Sequence, residues 1–132
     1  MHDASQNGML TGSAAVFAVK DVAASLPYYR DVLGFAVEFL WGEPPTYACL
    51  CRDAVALHLV AETIADRPAG QGHLCVFVRD VDVLHGELLE KGARIAKPPQ
   101  TYPYGMREFD LSDADGNRIV MGMGVNGANS AP

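Results

Sequence analysis

No basic run, no apolar stretch of membrane length and no metal-type cysteine spacing occurs in this sequence of 132 residues. Ten Lys and Arg stand scattered against 16 Asp and Glu, a net charge of −6. Without a positive stripe for a phosphate backbone, no nucleic-acid partner is expected. The longest apolar runs, such as Val55–Ala61 around His58, have strand length, so no membrane span is expected either. The opening MHDASQNGMLTG has no basic start followed by an apolar run, so no secretion signal is expected. Cys49, Cys51 and Cys75 are an odd number set in apolar segments. They are expected to be reduced, small core residues of a cytoplasmic protein. The grammar of other catalysts is missing too: G-x-S-x-G, C-x-x-C, H-E-x-x-H and the P-loop are all absent, and Ser112 has no identifiable base partner.

What is present is a 49% hydrophobic chain, enough for the core of one domain and too short for two ordinary ones. Within it lies a repeat. Residues 14–35, AAVFAVKDVAASLPYYRDVLGF, overlay residues 73–93, HLCVFVRDVDVLHGELLEKGA. Val19 falls on Val78, Asp21 on Asp80 and Gly34 on Gly92. Each copy reads as an alternating strand, an Asp able to cap, and a short amphipathic helix closed by Gly. Pro27 fits only an opening helical turn, which puts Ser25 near the N-cap of the first helix. Further on, RDAVALHLVAE overlays SDADGNRIVMGM, with Asp53 on Asp115, Leu57 on Ile119 and His58 on Val120. DADGN is a strong turn signal. The fold class is therefore α+β: two tandem βαβββ modules, eight strands and two main helices. The domain spans 12–124, with module one at about 12–64 and module two at about 72–124. Flexible ends are expected at 1–11 and 125–132.

These residues carry a family likeness. VKDVAASLPYYRDVLGF resembles the opening of a module in the glyoxalase/bleomycin resistance/extradiol dioxygenase (vicinal oxygen chelate) superfamily. VRDVDVLHGELLEKGA resembles the second opening, and PYGMREFDLSDADGN with RIVMGM resembles the closing strands of bleomycin-resistance-like members. The resemblance implies a curved mixed sheet around a cleft, and a homodimer. In metal-dependent members, four positions from the first and last strands of each module line that cleft and hold a divalent ion. Here those positions fall on Ala14, His58, His73 and Val120. Two imidazoles remain, with no carboxylate among the four, and most working sites offer three or more protein ligands. Glu108 is the candidate third ligand or catalytic carboxylate.

Strand alternation fills in the rest of the cleft face. Val16, Ala18, Cys75 and Phe77 share it with Ala14 and His73, Ala56 and Val60 share it with His58, and Arg118 and Gly122 share it with Val120. Trp41, Tyr47, Tyr102 and Tyr104 are candidate aromatic walls. Arg107 and Glu108 are adjacent, so in a strand they point to opposite faces. The expected ligand contacts are Trp41, Tyr47, His58, His73, Phe77, Tyr104, Arg107 and Glu108. His2 and His85 read as a tail residue and a helix-surface residue.

The leading expectation is a binding protein for a small aromatic or cationic molecule, without a cofactor and without catalysis. The alternative is a lyase, isomerase or dioxygenase that holds one divalent metal ion on His58, His73 and a third ligand. A third reading is a non-catalytic subunit or sensor.

Overall fold

The computed structural model describes residues 7–125. The expectations for residues 1–6 of the arm and 126–132 of the tail lie outside the described residues. Module one runs β1 (Ala15–Val19), α1 (Val22–Pro27), β2 (Ala36–Trp41), β3 (Tyr47–Arg52) and β4 (Val55–Ala61). A short α2 (Glu62–Ala65) leads into module two: β5 (His73–Phe77), α3 (Val81–Glu90), β6 (Arg94–Thr101), β7 (Met106–Ser112) and β8 (Arg118–Gly124). The strands form two four-stranded sheets, ordered β1-β4-β3-β2 and β5-β8-β7-β6. In each sheet the first strand pairs parallel with the last, and the other pairs are antiparallel. This is the expected pair of βαβββ modules.

The repeat shows in local chemistry. Asp21 caps α1 by accepting from the Ala24 N–H at 3.1 Å. Asp80 caps α3 by accepting from Val83 at 3.1 Å. The first helix therefore starts at Val22, not near Ser25, whose hydroxyl instead bonds back to the Asp21 carbonyl at 2.9 Å. Pro27 is the last residue of α1. Its ring and missing N–H break the α ladder, and the chain widens there into a π-helical segment, Tyr28–Val32. On β6 the tandem Pro98 and Pro99 are tolerated because the strand lies at a sheet edge.

One side of each sheet is apolar and buried. Phe17, Val19, Ala48, Leu50, Leu57 and Leu59 of module one share a continuous core with Val81, Leu88, Phe109, Leu111, Ile119 and Met121 of module two. Each fully buried Leu or Phe contributes about 1.5–3 kcal/mol. The cysteines are not in this core. Cys49 and Cys51 are half-buried and Cys75 is exposed, because they alternate with the buried Ala48, Leu50 and the half-buried Val76, on the opposite faces of their strands.

The modules are clasped through the turn that DADGN builds. Asp113 Oδ1 accepts the backbone N–H groups of Asp115, Gly116 and Asn117 at 2.9–3.0 Å. Its Oδ2 accepts the Tyr29 hydroxyl at 2.7 Å and the Asn117 amide at 2.9 Å. Asn117 also donates to the Ala18 carbonyl and accepts from the Gly72 N–H. Burial and the Asp113 carboxylate push the Tyr29 phenol far above its ordinary pKa, so it is a permanent donor. The neighbouring Tyr28 donates to the Ser112 carbonyl at 2.7 Å, and on the other flank Arg52 reaches Glu87 at 3.3 Å. Gly70, at φ +90°, passes so close to the Asp115 carbonyl that any Cβ would collide with backbone.

Candidate ligand-binding faces

With one side of each sheet committed to the core, the other side is left open, and register defines what stands on it. In module one, His58 pairs with Val16 on β1 and with Cys49 on β3, and Cys49 pairs with Phe39 on β2. One row of side chains is therefore Val16, His58, Cys49 and Phe39. The next row is Ala18, Val60, Tyr47 and Trp41. Trp41 is 67% exposed and Phe39 is 52% exposed, so the β2 side of the face is an uncovered aromatic wall, while Ala18 and Val60 at its β1–β4 side are buried. The polar features of the face are the Tyr47 hydroxyl against His58 Nδ1 at 2.8 Å and the Cys51 thiol, pushed up by its hydrogen bond to the Glu38 carboxylate. Partial burial pushes the Tyr47 phenol up. Tyr47 therefore stays protonated, holds the imidazole ring in place and leaves Nε2 as the nitrogen it does not engage.

Module two repeats the geometry with different chemistry. Val120 takes the place of His58: it pairs with Cys75 on β5 and with Asp110 on β7. The flanking rows are His73, Arg118 and Ser112 on one side and Phe77, Gly122, Glu108 and Gln100 on the other. Arg118 and Asp110 neutralise each other at 3.0 Å. Glu108 accepts from the Tyr104 hydroxyl at 2.8 Å, and this bond pushes the Tyr104 phenol up to about 12. Tyr102 and Tyr104 stack, with centroids 5.3 Å apart. Phe77 is 80% exposed.

The structure thus places Trp41, Tyr47 and His58 together on one face, and His73, Phe77, Tyr104 and Glu108 on the other. Arg107 joins neither. It lies on the helix side of β7, where it bonds both carboxylate oxygens of Asp82 on α3 at 2.9 Å and Thr101 at 3.1 Å. These bonds hold Asp82 below the usual carboxylate range. The alternation between Arg107 and Glu108 was legible, but the partner that draws Arg107 to the helix side is 25 residues away. Ala14 is exposed just before β1. His85 packs its ring on Phe109, at the edge of the core. Phe39 and Asp110 are additions the sequence reading missed. Counting back two residues from Trp41 finds Phe39, whereas counting forward from the core-facing Val37 does not, because a bulge between Val37 and Phe39 reverses the alternation.

Among the described residues, no three His, Cys, Asp or Glu side chains are gathered as a metal-holding group. His58 and His73 stand in different sheets. Among the described residues, no side-chain hydrogen bond, ion pair or ring contact joins the two open faces. Two shallow hollows lie along the module seam, one beside Tyr28 and Asp113, the other between Arg52 and α3 with Phe77 in its lining. No helix among the described residues is long and apolar enough to cross a membrane.

Comparison with known proteins places this geometry. No curated protein matches the sequence significantly. A glyoxalase/bleomycin resistance protein from Catenulispora acidiphila DSM 44928 is 32% identical, with 84% of this chain and 96% of that one covered and a TM-score of 0.67. The bleomycin-binding protein of bleomycin-producing Streptomyces verticillus, solved with copper(II)-bleomycin, is 26% identical over 86% of this chain and 96% of that one, TM-score 0.69. A superfamily member from Sphaerobacter thermophilus DSM 20745 is 25% identical over 86% and 97%, TM-score 0.73. The family model described as Glyoxalase/Bleomycin resistance protein/Dioxygenase superfamily matches residues 13–121.

Proposed function

The chain belongs to the glyoxalase/bleomycin resistance protein/dioxygenase superfamily, and from that premise we propose that it is a binding protein for a flat, aromatic small molecule. The molecule lies in a cleft made between the open face of module one in one chain and the open face of module two in a second copy. The observation that carries this reading is the uncovered aromatic wall of Phe39, Trp41 and Tyr47 around His58. Surface of that kind marks a binding site in a soluble domain.

The same geometry supports a pairing of two copies. The modules of one chain are joined through their core, helices and turns, which leaves both faces looking outward with Phe77 and Trp41 uncovered. Met9 and Leu10, 93% and 92% exposed on the segment ahead of β1, add apolar surface suited to a partner chain. A closed C2 dimer creates two identical clefts. The similarity to the Streptomyces verticillus protein supports a ligand of drug-like size. Recognition rests on stacking and hydrogen bonds, without a metal ion of the protein's own. Three free thiols suit a reducing, cytoplasmic setting.

Trp41 is the only tryptophan, so its emission reports occupancy of the cleft. Titrating copper(II)-bleomycin and a panel of planar aromatic compounds is expected to yield at least one saturable change in emission. That change should reach one equivalent per chain and survive a chelator in the metal-free cases. A flat response across the whole panel, or binding that appears only after a divalent ion is added to the protein, would overturn the reading.

A further inference from the structure

The Tyr47 hydroxyl and the His58 imidazole meet at Nδ1 over 2.8 Å, with the two rings edge-on at 73°. A phenol is a better donor than acceptor, and an unprotonated ring nitrogen is the better acceptor of the pair. Tyr47 therefore donates, and the imidazole proton sits on Nε2. Among the described residues that N–H has no partner. A second donor stands in the same cross-strand row. His58 pairs with Val16 on β1, and the Val16 carbonyl accepts from Arg67, on the link between the modules, at 2.9 Å. Since β1 is an edge strand, Arg67 lies on its outer side, two strand spacings or roughly 10 Å from His58. Among the described residues its guanidinium has no carboxylate within ion-pair distance. Asp66 and Glu62 are close in sequence, but Glu62 accepts from the Ala69 N–H at 3.0 Å. Glu38, bonded by the Cys51 thiol, stands on β2 at the opposite edge of the sheet.

We propose that these two donors seat an anionic oxygen pair, a carboxylate carried by the aromatic body that stacks on Phe39 and Trp41. This rests on the reading that the open faces bind a small molecule, and it names the polar end of that molecule. One carboxylate oxygen accepts from His58 Nε2–H and the other from the Arg67 guanidinium, a charge-assisted bond. A carboxylate bonded at both oxygens spans roughly 8 Å from donor to donor, which fits the gap over Val16 once the Arg67 side chain turns inward. The Val16 side chain, 38% exposed, floors the seat. From there the ring system runs across Cys49 to Phe39, the order of the row. The reversed pose would set the carboxylate against Glu38, a like-charge contact. The net charge of −6 opposes an anion at a distance, but salt screens charges beyond about 10 Å, and the seat acts at contact.

The test is a calorimetric titration of the full-length protein with 2-naphthoate and with 2-acetylnaphthalene, which share a shape and differ in charge. The acid is expected to bind roughly tenfold to hundredfold tighter. That preference should shrink to a few-fold in Arg67→Gln and approach unity in the double variant Arg67→Gln with His58→Phe. Thermal unfolding checks that both variants fold. Nitrogen-15 spectra of the free protein should show His58 protonated at Nε2 and bare at Nδ1. Equal affinity for the two probes, a preference that survives the double variant, or a neutral ring protonated at Nδ1 overturns the anion seat and leaves the aromatic cleft standing. Failure of both probes to bind overturns the seat and counts against the cleft as well.

Discussion

Replacing Asp113 with Ala is expected to destabilise the protein by about 3–5 kcal/mol, the largest effect of any single polar substitution in the molecule. The carboxylate accepts five hydrogen bonds, three from its own turn, one from Tyr29 and one from Asn117. It is almost fully buried, as is Asn117. Truncation leaves five donors without an acceptor where water has little access, and each unsatisfied group costs about 1–3 kcal/mol before relaxation. The loss should appear as a fall in Tm on the order of 10–20 °C. Tyr29→Phe removes only the bond between modules and should cost about 1–2 kcal/mol. A drop in Tm for Asp113→Ala no larger than that for Tyr29→Phe would mean that the bond to Tyr29, not the turn, carries what Asp113 contributes.

The second large effect falls on binding and spares stability. Phe39→Ala with Trp41→Ala removes two rings from an uncovered face, neither of which belongs to the core cluster. Stacking on one aromatic side chain is worth about 1–3 kcal/mol, so the double variant should bind a planar aromatic probe roughly a hundredfold more weakly. Its Tm should stay within a few degrees of the parent, since exposed substitutions change stability by about 0.5 kcal/mol. Calorimetry is the readout, because the fluorescent reporter is one of the residues removed. Affinity unchanged by the loss of both rings would place the ligand elsewhere.

Much of this architecture was legible because it is written in local chemistry. An Asp placed to cap, a Gly to close and an alternating run on either side recur at Asp21 and Asp80, and that repeat carried the two-module fold. The overlay of His58 on Val120 holds in register as well: each is flanked by the matching strand positions, Val16 and Cys49 in one module, Cys75 and Asp110 in the other. Non-local partners were not legible. DADGN announces a turn, but nothing local says that Asp113 reaches back 84 residues to Tyr29. In the same way nothing local commits Arg107 to Asp82. The cysteines were misread as core because their segments are apolar on both sides. Such a run hides which face is buried until the helices are in place. Pro27 misled for a related reason, since a π-helical widening after a helix-ending Pro has no composition signal of its own.

The inter-copy cleft is tested most directly by mixing two variants that each block one face. Val16→Arg obstructs the centre of the module-one face, and Cys75→Arg obstructs the matching position of module two. Each alone should fail to bind the aromatic probe. After the two are mixed and allowed to exchange subunits, half the dimers are mixed, and each mixed dimer carries one cleft built from two intact faces. About one site in four should therefore recover. A mixture that binds no better than either variant alone would contradict the account and show that each chain builds its cleft from its own two modules.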